Sequence, residues 1–123
     1  MRELVVPAGG LIFTQGESGD EIFFVRKGRA HIRLPLEGGK HHHLATIGRG
    51  DFLGEMAFLD QGLRSADAVA AADTELFVLS RAAFDELAGH DAALGKRMFE
   101  HLSRGIAGRL RITDMELRTL EER

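Results

Sequence analysis

No cysteine, tryptophan or tyrosine occurs among the 123 residues, and proline appears only twice. The missing cysteines exclude disulfides, thiolate chemistry and any cysteine metal site. An unstapled domain of this kind fits a cytoplasmic setting. The eight phenylalanines are scattered through strand and helix patterns. They read mainly as core and leave no aromatic strip for stacking bases. No run approaches the roughly 18 apolar residues of a membrane span, and Met1-Arg2-Glu3-Leu4 leads into a strand pattern rather than a secretory leader. A formal net charge of -3 argues against a general nucleic-acid binder, which carries a basic face.

Glycine is plentiful where proline is scarce, with 15 residues, so the turns rely on positive φ rather than on proline. The length and an apolar fraction of 44% suit one domain around a single core. Short apolar stretches at about 4–6, 11–13, 22–25, 30–34, 41–47, 65–71 and 75–79 read as strands. Between them lie Pro7-Ala8-Gly9-Gly10, Gln15 to Asp20, Glu37-Gly38-Gly39-Lys40 and Gly48-Arg49-Gly50-Asp51. Strands separated by turn signals at this spacing predict a β-sandwich or barrel.

The pattern changes at Ser80, which suits the N-cap of a helix over Arg81 to Leu87. Asp91 suits the N-cap of a longer helix, about 92–121. There Ile106, Leu110, Thr113, Leu117 and Leu120 form an apolar stripe that seeks either the β body or a second copy of the helix. Gly105 and Gly108 weaken its middle, by roughly 1 kcal/mol each against alanine.

The chemistry concentrates in Leu53-Gly54-Glu55-Met56-Ala57, followed by Arg64-Ser65-Ala66. Gly54 lets a backbone approach closely, and Met56 to Leu59 suits a short helix. Arg64 supplies a cation able to hold an anion bidentately. A carboxylate beside that anion would repel it, so Glu55 suits a hydroxyl pair on the same small ligand. The plainer alternative is a Glu55–Arg64 salt bridge closing a turn. Gly48 to Gly54 imitates a dinucleotide fingerprint with the wrong spacing and no βαβ unit. His41-His42-His43, with His31 and His90 as further ligands, could approach a metal, but a solvated strand explains them better. Asp20, Glu21, Asp60, Asp67 and Asp73 fall at turns or strand edges as solvated or turn-capping groups. Arg104, Arg109, Arg111 and Arg118 are interspersed with Asp114, Glu116, Glu121 and Glu122 as an ordinary charged helix face.

Pro7-Ala8-Gly9, Gln15-Gly16, Phe24 to Gly28, Gly50 to Glu55 and Arg64-Ser65-Ala66 recur in this order in one family. The chain resembles cyclic nucleotide-binding domains, from about Leu4 into the long C-terminal helix. The resemblance implies a mainly β fold: an eight-stranded jelly roll over about 4–79, a short cassette helix, and C-terminal helices over about 80–121, together a single domain. It implies a ligand set of Gly54, Glu55, Met56, Ala57, Arg64, Ser65 and Ala66. Glu55 would take the ribose 2'-hydroxyl, Arg64 the cyclic phosphate, and Ser65 with nearby backbone amides the phosphate oxygens. Hydrophobic residues of the last helix would cap the base. The ligand would be cAMP, slightly preferred over cGMP, with no cofactor or metal.

The implied role is a cytoplasmic regulatory sensor acting on a fused or associated effector, with a possible homodimer through the last helix. Residues 79–84 and Arg109 to Arg111 resemble copies attached to bacterial anion transporters or enzymes. Two departures stand out: Leu53 replaces the usual aromatic before Gly54-Glu55, with Phe52 one place earlier, and the helix that often precedes the first strand is missing. A fragment of a larger protein is therefore expected, without room for a DNA-reading helix-turn-helix. The competing expectation is a structural or dimerisation domain that keeps the scaffold without signalling. An enzyme is not expected, because no nucleophile–base pair can be assigned.

Overall fold

The computed structural model describes residues 2–105. The chain divides into two compact units, Met1–Ala83 and Phe84–Arg123. The first unit contains two four-stranded antiparallel sheets, the jelly-roll sandwich expected from the sequence. One sheet runs in the order β1 (Arg2–Val6), β8 (Thr74–Ser80), β3 (Glu21–Lys27), β6 (Phe52–Leu53). The other runs β2 (Leu11–Phe13), β7 (Asp67–Ala70), β4 (Arg29–Pro35), β5 (His41–Gly48). A helix, α1 (Glu55–Asp60), lies beside β3.

Strand alternation explains which side chains meet. Phe23 and Val25 of β3, Leu76 and Val78 of β8, and Val6 of β1 enter the core from one sheet. Phe13, Ala30, Ile47, Ala68 and Ala70 enter it from the other. The small residues on β4 and β7 leave room for the large ones opposite, as close packing of two layers requires. Seven strands were visible as sequence patterns. The eighth, β6, has two residues and is defined by its register, Phe23↔Leu53 and Phe24↔Phe52.

Gly28 and Thr74 tie the ends of the two sheets together. Gly28 turns β3 into β4 at φ 92°. Thr74, fully buried, places Oγ1 2.9 Å from the carbonyl of Arg29, 2.8 Å from that of Ala72 and 3.3 Å from the amide of Arg29. The hydroxyl accepts from the amide and has one proton to give to a carbonyl. Thr74→Val keeps the branched shape and strands these groups in the interior. It is expected to cost about 1–3 kcal/mol, read from the midpoint of urea denaturation. A loss below about 0.5 kcal/mol would show that the hydroxyl is dispensable.

Both expected helix caps form. Ser80 Oγ accepts from the amide of Ala83 at 3.1 Å at the start of α2 (Arg81–His90). Asp91 Oδ1 accepts from the amide of Leu94 at 3.0 Å ahead of α3, helical over the described residues 92–105. In the second unit α2 and α3 approach closely at Gly95, where a Cβ would lie 2.6 Å from that of Ala88. The stripe from Ile106 to Leu120, Gly108, and Arg109, Arg111 and Arg118 lie outside the described residues. Among the described residues no helix is long and apolar enough to cross a membrane.

Candidate functional site

The candidate residues are delivered by β6, α1 and the segment leading into β7. The stretch before Gly54 is held against β3 by Val25 N to Asp51 O and Gly50 N to Val25 O, each 2.9 Å. Leu53 points into the core and is fully buried. Phe52, one residue earlier, has its ring 6.3 Å from that of Phe24. Neighbouring strand residues face opposite sides, so Phe52 does not replace the aromatic missing at 53.

Gly54 then turns the chain with φ 82° into the first residue of α1. This conformation suits glycine, and the space does too. A Cβ here would sit 2.8 Å from Arg64 Nη1, 3.0 Å from the carbonyl of Glu21 and 3.2 Å from the Phe23 ring. Glu55 opens the helix and is 8% exposed, Ala57 is buried, and Met56 is 46% exposed. At the other end Arg81 Nη1 donates to the carbonyls of Phe58 and Leu59 at 3.3 and 3.2 Å. A cation at a helix C-terminus satisfies its orphan carbonyls.

Arg64 arrives on a segment pinned along the turn after β2. Its amide donates to Glu17 O at 2.8 Å, and its carbonyl accepts from Gly16 N at 2.9 Å. The side chain is only 6% exposed. Nη1 donates to Gly54 O and Nη2 to Glu21 O, both at 3.1 Å. These bonds go to carbonyls, not to the carboxylate of Glu55 that the plainer expectation paired with it. Burial lowers the pKa of Arg64 from its ordinary value, outweighing the opposing influence of Glu21, Glu17, Asp20 and Glu55 in that order. A guanidinium nonetheless stays protonated in the neutral range. The structure thus holds a desolvated cation against uncharged oxygens.

Ser65 is exposed, and its carbonyl lies 3.4 Å from Gln15 Nε2. Ala66 is buried as β7 begins. Gly54, Glu55 and Ala57 therefore share one turn, with Gly54 joined directly to Arg64. Ser65 and Ala66 follow on the opposing segment. Phe13, Phe23, Gly19 and Glu21 also surround Arg64, and sequence reading missed them as site residues. The phenylalanines read as ordinary core, Glu21 takes part through its backbone, and no spacing linked Phe13 to Arg64.

The other polar groups act locally. Asp67 Oδ1 accepts from Gln15 N at 2.7 Å, Asp73 Oδ1 from Ala8 N at 2.9 Å and Asp60 Oδ1 from Gly62 N at 2.8 Å. His31 and His43 meet edge to face with ring centres 5.0 Å apart. Among the described residues no three His, Cys, Asp or Glu side chains converge as metal ligands.

Residues 3–91 match the family described as the cyclic nucleotide-binding domain. The chain belongs to that family. This cyclic nucleotide-binding domain is 39% identical over 114 residues to the cyclic AMP receptor protein of Thermus thermophilus, covering 90% of this chain and 50% of the relative. It is 40% identical over 85 residues to a cyclic nucleotide-gated potassium channel of Rhizobium etli, covering 69% of this chain and 22% of the channel. The crystal structure of Thermus thermophilus catabolite activator protein superposes with a TM-score of 0.81 at 37% identity, covering 98% of this chain and 55% of that one. The cyclic nucleotide-binding domain thus spans about half or less of the length of these relatives.

Proposed function

We propose that this domain is a regulatory sensor that binds cAMP in preference to cGMP. Arg64 faces the cyclic phosphate, Glu55 the ribose 2'-hydroxyl, and Gly54, Met56, Ala57, Ser65 and Ala66 line the remainder of the cassette. The observation that carries this reading is the buried guanidinium with carbonyl partners. An anion at its free donors would give the desolvated charge a counter-charge, and such hydrogen bonds are worth about 1.5–3 kcal/mol each. Glu55, kept from water one turn away, suits a neutral donor better than a second anion. The preference for cAMP draws on Ser65 and on the name of the Thermus thermophilus relative.

In this reading the domain binds rather than catalyses. It sits in the cytoplasm as part of a longer protein and passes occupancy through its C-terminal helix to an effector. Binding can shift such an equilibrium only by the difference in affinity between its states.

The test is calorimetric titration with cAMP and then cGMP, using protein first freed of co-purified nucleotide by unfolding and refolding. A Kd of about micromolar or tighter, near -8 kcal/mol, is expected for cAMP, with cGMP weaker. Absence of heat and of any thermal shift with both nucleotides would overturn the proposal.

A further inference from the structure

The Arg64 guanidinium has aromatic and polar neighbours. Its Cζ lies 4.5 Å from the centre of the Phe13 ring and 5.6 Å from that of Phe23. The two rings are 5.9 Å apart and tilted by 38°, and both are buried in the core. The terminal nitrogens meet the carbonyls of Gly54 and Glu21. Gly19 borders a further part of the group. A Cβ there would fall 2.7 Å from Nη2, 2.9 Å from Nε and 3.1 Å from Cζ. That point is nearer the two nitrogens than the carbon joining them, which places Gly19 along the edge, and of the two rings Phe13 is the nearer to the cation.

We propose that Phe13 is a positioning residue for Arg64. A guanidinium is planar and stacks on an aromatic face, whose negative quadrupole attracts the cation most strongly where water is excluded. Two carbonyls at one end leave the group free to tilt about the line joining them. A ring with the cation held over its face opposes that tilt. The plane is then set before an anion arrives, and a donor already ordered has less freedom to lose on binding. A leucine at 13 would remain apolar but offers neither a flat surface nor a quadrupole. Phe13 thus serves the core and the cation together, through a contact that spans most of the β unit in sequence. The effect on affinity rests on the proposed role of Arg64 at the phosphate, whereas the contact between cation and ring does not.

The experiment compares wild type, Phe13→Leu and Val25→Ala. Val25 is a core residue of β3 with no described contact to Arg64, so its variant reports what general loosening of the core does. Without nucleotide, the Arg64 Nε–H resonance is identified by its loss in Arg64→Lys. It is expected to be displaced by the ring current in wild type and in Val25→Ala, and to return toward the ordinary arginine position in Phe13→Leu. With cAMP, Phe13→Leu is expected to raise Kd by about tenfold, equivalent to about 1.4 kcal/mol. Val25→Ala should leave Kd unchanged although both variants lower the denaturation midpoint.

An unmoved Nε–H resonance in Phe13→Leu would overturn the proposal. So would equal weakening of cAMP binding in both core variants, since that is the signature of a purely structural role. If wild type bound neither cAMP nor cGMP, the proposed function would fall, and the resonance comparison in unliganded protein would still decide the role of Phe13.

Discussion

Arg64→Ala is expected to weaken cAMP binding by at least about a hundredfold, because two charge-assisted hydrogen bonds of roughly 1.5 kcal/mol or more disappear together. Folding should suffer less, for opposing reasons. Truncation leaves the carbonyls of Gly54 and Glu21 without these donors and opens space beside the Phe13 and Phe23 rings. It also removes a charge whose burial is unfavourable, as its lowered pKa records. A net loss of about 1–2 kcal/mol is therefore expected.

The sign of that shift predicts the pH response. A base whose folded pKa lies below its unfolded value destabilises the fold while protonated in both states, and the penalty is relieved only as pH rises through the folded pKa. A guanidinium remains charged far above neutrality, so Arg64 contributes no slope to affinity or stability across the neutral range. Calorimetry at several pH values and urea denaturation followed by circular dichroism measure both effects. Circular dichroism is needed because the chain lacks the tryptophan and tyrosine that report by fluorescence. Arg64→Lys should remain impaired, since an ammonium cannot serve two carbonyls, an anion and a ring face in one plane. Retention of wild-type affinity by Arg64→Ala would remove the basis for placing the phosphate at this residue.

Gly28→Ala is expected to be the most destabilising single-methyl addition in the described β unit. The backbone there has φ 92°, which costs a residue with a Cβ about 1–2 kcal/mol. The added carbon would also lie 2.5 Å from the carbonyl of Asp73, 2.7 Å from Thr74 Oγ1 and 2.8 Å from Thr74 Cα. Two of these neighbours are backbone atoms of the adjoining turn, so a rotamer change cannot relieve the contact. Forced shifts of a packed interior cost about 1–3 kcal/mol more. The sum, about 2–5 kcal/mol, is a large fraction of the 5–15 kcal/mol that holds an ordinary domain.

Gly16→Ala is the matched control. Its φ is 87°, but nothing lies within 4 Å of an added Cβ, so only the conformational term applies, about 1–2 kcal/mol. Denaturation midpoints of the two variants separate crowding from backbone strain. Equal losses would show that the close approach of the β3–β4 turn to Asp73 and Thr74 carries no weight.

These variants also mark how far local pattern reaches. Ser80 and Asp91 were recognisable as caps because each bonds an amide three residues ahead, within a sequence window where residue type and spacing suffice. Seven strands were recognisable because alternation and glycine turns repeat locally. The two-residue β6 was not, since it is a strand only by pairing with β3. The Glu55–Arg64 segment was recognisable as a unit, but not the direction of the guanidinium. Its hydrogen-bond acceptors are backbone oxygens, which every residue possesses and no motif distinguishes.

By itself the sequence determined the β class, the order of the turns, the helix caps and the cassette bearing Gly54, Glu55 and Arg64, because each follows from residue type over short distances. Tertiary structure decided that Phe13 and Phe23 face Arg64, that Gly19 and Gly54 leave room at its edge, that Leu53 rather than the equally buried Phe52 joins the main core cluster, and that Thr74 ties two turns together. Those outcomes depend on strand register and sheet pairing between segments far apart in the chain. A one-residue change of register exchanges the faces, so distant side chains meet only once the whole sandwich has closed.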